Sequence, residues 1–168
     1  MKTPHLAAML LTLTLRLPAS AGTFAFVSLA GESKIAAYRL DTSSGRLTRA
    51  VETAVDGAPG SLTTDAARRH LFVALRGSGK LASYRIDGAT GRLTLVSLIP
   101  VQADPSYVGV DHSGKYLLSA FYQAGKVMVH RIGPDAALDP SPAAQVVTAP
   151  TAHSAVPDPS NRRIFVPH

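Results

Sequence analysis

Residues 24–48, FAFVSLAGESKIAAYRLDTSSGRLT, return 46 positions later as residues 70–94, HLFVALRGSGKLASYRIDGATGRLT. Thirteen of the 25 positions are identical, from Phe26/Phe72 and Val27/Val73 through Tyr38/Tyr84, Arg39/Arg85 and Asp41/Asp87 to Gly45/Gly91 and Leu47/Leu93. The register holds beyond the pair. It carries Pro59 onto Pro105, Asp65 onto Asp111, Gly79-Lys80 onto Gly125-Lys126 and Arg85-Ile86 onto Arg131-Ile132. With one inserted residue it carries Asp111 onto Asp158 and Leu117-Leu118 onto Ile164-Phe165. A fixed period kept over several copies is the signature of a repeat architecture.

Each copy contains four short β-type segments. In the second copy these are Ser61 to Thr64, Leu71 to Leu75, Leu81 to Ile86 and Leu93 to Ile99. Between them stand turn-forming stretches, Asp65-Ala66-Ala67-Arg68, Gly77-Ser78-Gly79 and Asp87-Gly88-Ala89-Thr90-Gly91. Beyond the first residues no segment carries apolar side chains at helical spacing. Four strands in about 45 residues define a propeller blade, so an all-β fold is expected, a β-propeller of four-stranded antiparallel blades. The strands are apolar on both sides because each blade is sandwiched between neighbours, which makes blade-to-blade burial the main stabilising term.

With the strands of a blade lettered a to d from the axis outward, residues 23–29 read as strand b of blade 1, and its inner partner is expected from elsewhere. His168 falls inside strand b of blade 4. The expectation is a partial propeller over residues 22–168, about three and a half blades, truncated from a longer parent. Seven copies of the period would take roughly 320 residues. Blade 4 is expected to leave the apolar face of blade 3 largely uncovered, and the chain alone to be poorly stable and catalytically silent.

Residues 1–21 have a different layout. Lys2 is followed by an apolar run from Leu6 to Leu15, then Pro18 and Ala19-Ser20-Ala21. That is the plan of a secretory signal peptide with cleavage after Ala21, and the run is too short to span a bilayer. Arg16 is a blemish in this plan. A periplasmic or secreted protein is expected, with a cytoplasmic one as the alternative. The chain lacks Cys and Trp, is 46% hydrophobic and 17% charged, and carries a net charge of +6. This composition excludes a disordered chain and a disulfide framework. Without Lys2 and Arg16 the net charge is +4. The basic residues are scattered and lack interleaved aromatics, which argues against a nucleic-acid partner. A mildly basic surface can steer an anionic small substrate, but a solvated face with a modest excess of Arg is the favoured reading.

The stretch from Asp104 to Leu117, DPSYVGVDHSGKYL, resembles the bacterial lactonase family of seven-bladed propellers, which includes 6-phosphogluconolactonase-like proteins. Phe121 to Val129, FYQAGKVMV, is similar to the family's Y-x-x-G-x-V-x-V strand pair. Ala152 to Pro167, AHSAVPDPSNRRIFVP, is similar to its H-S-x-x-x-D-P-x-N-R-x-x-x-V-P segment. The resemblance implies hydrolysis of a sugar lactone such as 6-phosphogluconolactone by the full-length parent. A related branch, muconate cycloisomerase-like enzymes, uses a His at the motif position of His153. Its Arg and Glu partners come from later blades.

By the repeat, His153 stands where earlier blades carry Gly60 and Ser106, at the start of innermost strand a, a place that lines the channel mouth. An imidazole there can take a proton from water or, charged, hold an anion. His153 is therefore the candidate catalytic residue. The bland alternative is a lining His bonded to a neighbouring strand. His112 reads as an exposed turn residue, His70 and His130 as structural, and His5 as part of the leader. No zinc site is expected and no cofactor is called for. Tyr38 and Tyr84 read as packing. Arg39, Arg85 and Arg131 share one position and are expected to serve the blade by bonding the adjacent Asp turn. Two other functions remain open at this stage: a non-catalytic secreted propeller binding a ligand or protein, and a lactone-forming cycloisomerase.

Overall fold

The computed structural model describes residues 21–168, so the leader assigned to residues 1–21 lies, but for Ala21, outside the described residues. The described chain is a stack of antiparallel sheets. Blade 1 has three strands in the order β1 (Thr23–Leu29), β2 (Lys34–Leu40), β3 (Leu47–Ala54). Blade 2 has four: β4 (Ala58–Thr64), β5 (His70–Arg76), β6 (Lys80–Ile86) and β7 (Leu93–Pro100). Blade 3 repeats this order with β8 (Tyr107–Val110), β9 (Tyr116–Phe121), β10 (Lys126–Arg131) and β11 (Ala144–Val147). Blade 4 contributes the short pair β12 (Val156–Pro157) and β13 (Ile164–Phe165). The only helical pieces among the described residues are two three-residue 3₁₀ turns. The partial propeller is as the repeat predicts.

The inner strand of blade 2 starts three residues before Ser61, because Pro59 pairs with Leu75 before a register irregularity reaching Leu62. A bulge recurs on the outer strands. Ala37 faces Val51 while Tyr38 faces Arg49, and Ser83 faces Ser97 while Tyr84 faces Leu95. The extra residues, Ala50 and Val96, are one period apart, and a bulge there adds local twist.

Turns repeat as faithfully. Between strands a and b one carboxylate oxygen of each of Asp65, Asp111 and Asp158 accepts two backbone N–H bonds: from Arg69 and His70, from Lys115 and Tyr116, and from Arg162 and Arg163. Arg68, Gly114 and Asn161 take positive φ at one shared turn position. Between strands c and d, Gly91 must be glycine twice over. Its φ is +76°, and a Cβ would come 2.7 Å from the Phe24 ring of blade 1.

These turns correct the role expected of the repeated arginines. The carboxylates of Asp41 and Asp87 accept from their own loops, Ser43, Ser44, Ala89 and Thr90, and among the described residues neither accepts from an arginine. Arg39 instead donates to the Ala89 carbonyl and lies over Phe24, and Arg131 donates to the Tyr116 hydroxyl.

Packing is between blades. Ile35 of blade 1 packs with Leu71, Val73, Leu75, Tyr84 and Leu93 of blade 2. Phe72, Leu81 and Ile99 of blade 2 meet Val108, Leu117, Phe121 and Met128 of blade 3. Each fully buried side chain of this size contributes about 1.5–3 kcal/mol. Blade 4 also packs. Ala152 and Ala155 bury Leu118, Ala120 and Val127, so the face of blade 3 is covered along its inner half and open only outward, at Val146 and Val147. The expectation of a largely uncovered face is corrected to that extent: the lead-in to β12 covers the face before the strand itself forms.

Candidate functional site

Strand b runs antiparallel to strand a, so the start of a and the end of b share one end of the stack, together with the b–c hairpins. At this end the residue before each candidate position is buried: Pro59, Pro105 and Ala152. Chain alternation then turns the next residue, Gly60, Ser106 or His153, outward. The inner strands form a continuous arc. The Ser28 hydroxyl donates to the Gly60 carbonyl at 2.5 Å, and the Val108 amide donates to Ser61 Oγ at 3.2 Å.

His153 is exposed at this mouth. Its backbone amide donates to the Pro167 carbonyl at 3.0 Å, and its ring meets Tyr122 edge-on, with centroids 5.8 Å apart and planes at 76°. Tyr122 is held in turn. Its amide donates to Ser106 Oγ at 3.2 Å, and its carbonyl accepts from the Thr151 amide at 2.9 Å. Ser106 Oγ donates onward to the Ala120 carbonyl at 3.0 Å. The imidazole thus meets an aromatic neighbour edge-on and is otherwise exposed. A group so placed can exchange protons with water and with a ligand bound in the mouth.

The other histidines are elsewhere. His112 is exposed in the turn after β8. His70 Nδ1 lies 2.9 Å from Asp65 Oδ2. Burial works to raise the Asp65 carboxyl, but the His70 bonds and the Arg69 amide outweigh it and hold it below the ordinary range. His130 is wholly buried, and neither ring nitrogen has a hydrogen-bond partner. Burial pushes its pKa down against the opposing charge of Asp139. Tyr84 packs in the interblade core, and Tyr38 is half-buried.

Arg76 escaped the sequence reading, and Tyr122 stood there only as the first residue of a family motif. They occupy one repeat position, at the end of strand b, where blade 1 has Ala30. The signal that could have found them is disagreement between copies next to identical neighbours, since a blade needs no particular side chain there.

Antiparallel four-stranded sheets repeating every 46 residues define a partial β-propeller. The sequence profile of the family described as "Lactonase, 7-bladed beta-propeller" matches residues 20–168, and the chain belongs to that family. The periplasmic gluconolactonase PpgL of Pseudomonas aeruginosa is 29% identical, with a TM-score of 0.71 over 86% of this chain and 46% of its own. A protein from Lactobacillus plantarum superposes with a TM-score of 0.70 at 21% identity, over 78% of this chain and 40% of its own. XC5397 of Xanthomonas campestris, a gluconolactonase, superposes with a TM-score of 0.55 at 23% identity, over 80% of this chain and 42% of its own. This chain therefore spans less than half the length of these solved relatives. No curated protein matches it in sequence.

Proposed function

We propose that the protein hydrolyses a sugar lactone, with His153 as the group that takes the proton from the attacking water. Water adds to the ring carbonyl carbon and His153 accepts its proton. The ring C–O bond then breaks, and the proton passes to the departing alkoxide to give an open hydroxy acid. The observation that carries this reading is the placement of His153, solvent-open at the mouth and set against Tyr122, in a chain of the lactonase family. The 29% identical gluconolactonase supports the same class of substrate. The carbonyl oxygen gains charge in this step and requires a hydrogen-bond donor or a cation beside it.

The test is opening of gluconolactone and 6-phosphogluconolactone above the spontaneous rate by the full-length parent, with His153→Ala beside it. A general-base role predicts a loss of about 10²–10⁴-fold in kcat. Wild-type protein without activity on either lactone overturns the function, and an unchanged His153→Ala rate overturns the role. We also place the protein in the periplasm or outside the cell. The leader plan of residues 1–21 and the periplasmic relative support this. Exported protein should begin at Gly22 on N-terminal sequencing, and an intact Met1 form confined to the cytoplasm would refute it.

A further inference from the structure

Arg76 leaves β5 at the mouth, and its side chain lies across Gly60 of the inner strand. A Cβ at residue 60 would come 3.0 Å from Arg76 Cδ and 3.3 Å from Cγ. Gly60 is the blade 2 counterpart of Ser106 and His153, so the smallest residue stands where the arginine stem crosses the inner strand. A larger one would force the stem to shift.

The guanidinium is exposed, and among the described residues it enters no ion pair or hydrogen bond. The other cations near this end are engaged. Lys34 pairs with Glu32 at 3.3 Å and Glu52 at 3.2 Å, Lys80 pairs with Asp56 at 2.7 Å, and Lys126 lies over the Phe121 ring. Asp104 accepts from the amide of Gly77, the residue after Arg76, at 2.9 Å. Arg76 is thus an exposed planar cation without an ion pair or hydrogen bond among the described residues, two blades from His153, with Tyr122 on the blade between them.

We infer that Arg76 is the specificity residue of the mouth, binding an anionic oxygen group carried by the lactone away from its ring carbonyl. A guanidinium fork matches phosphate and carboxylate oxygens with two parallel N–H bonds, which a neutral sugar hydroxyl does not repay with charge. The assignment rests on the lactonase reading for its substrate, and it concerns ligand selection, not the chemical step.

The test uses three lactones with the full-length parent: gluconolactone, which is neutral, 6-phosphogluconolactone, which carries a phosphate, and muconolactone, which carries a carboxylate. Arg76→Gln should raise KM about 10- to 100-fold for an anionic lactone, with kcat little changed. The anionic lactone affected identifies the group. Gluconolactone opening should stay within about twofold. Arg76→Lys should recover part of the loss. A parallel fall on all three lactones, or no fall on any, overturns the inference. Should wild type open none of them, the lactonase reading fails and calorimetric binding of 6-phosphogluconate decides Arg76. Binding at least about tenfold weaker in Arg76→Gln then sustains the inference, while equal or absent wild-type binding ends it. Thermal midpoints of the variants guard against misfolding.

Discussion

Blades 1 and 2 share half their residues over strands b to d, yet the same residue is wet in one and dry in the other. Val27 is 41% exposed and Val73 is fully buried; Leu47 is 50% exposed and Leu93 only 6%. Ile35 and Leu81, by contrast, are buried in both. The division follows direction. Ile35 and Leu81 face the following blade, which both blades have. Val73 and Leu93 face the preceding blade, which for blade 1 is not among the described residues. Burial in this fold is a property of the place in the stack, and nearest-neighbour contact is what stabilises it.

The sharpest way to break that comparison is to cut the same leucine in both blades. Leu93→Ala should cost about 2–5 kcal/mol, because it leaves a cavity in a closed interface. Leu47→Ala should cost less than about 1 kcal/mol. Urea unfolding of the two variants measures the gap. Equal costs would mean that a further blade covers Leu47 in solution.

A smaller effect is expected in the third copy, where His130 replaces the tyrosine of blades 1 and 2. Its ring nitrogens are buried without partners, and burial holds its pKa below the ordinary 6.5. The unfolded chain therefore binds the proton more readily than the folded one. Stability is full above about pH 6.5 and falls as pH drops from there towards the lower folded pKa. His130→Phe should remove this slope and stabilise the protein by about 1 kcal/mol even at pH 8, where the unpaired imidazole is neutral but still desolvated. Chemical unfolding of both proteins between pH 8 and pH 5 checks it. Parallel pH profiles would show that another group titrates.

The smallest effect concerns the lock between blades 3 and 4. Asn161 Nδ2 donates to Asp111 Oδ2 at 2.7 Å, and its carbonyl oxygen accepts from the His112 amide at 3.2 Å. Among the described residues, neither Arg68 nor Gly114, at the equivalent turns, makes such a bond to the preceding blade. Asn161→Gly keeps the positive φ and loses the lock, for about 1 kcal/mol; Asn161→Ala should add about 1 kcal/mol of backbone strain. Burial works to raise the Asp111 carboxyl, and the bonds of Ser113, Asn161 and two amides together hold it below the ordinary range. Removing Asn161 should let its pKa climb, as NMR titration would show. An Asp111 titration unchanged in Asn161→Gly would mean the lock does not persist in solution.

Much of the architecture was legible because a blade is built from local rules. The segments Leu71 to Leu75, Leu81 to Ile86 and Leu93 to Ile99 match β5, β6 and β7 to within a residue at each end. The start of β4 was set at Ser61, but Ala58 and Pro59 already pair with β5 ahead of a register irregularity. His153 was found because a repeat position and a motif coincide there. Arg76 was missed, and Tyr122 was given no role beyond its motif, because the repeat was read through its identities and the copies differ at that position.

The amino-acid sequence by itself determined the period, the strand and turn plan of each blade and the repeat position of His153, which falls in the lead-in to β12. Alternation, Asp caps and glycine turns act within a few residues, so they are written locally and survive repetition. Tertiary structure alone decided which of two identical leucines is dry, that Tyr122 of blade 3 stands against His153 of blade 4, and that the Arg76 stem lies across Gly60. Those contacts join residues that are distant along the chain, and they exist only once blades stack face to face and neighbouring inner strands converge on one axis.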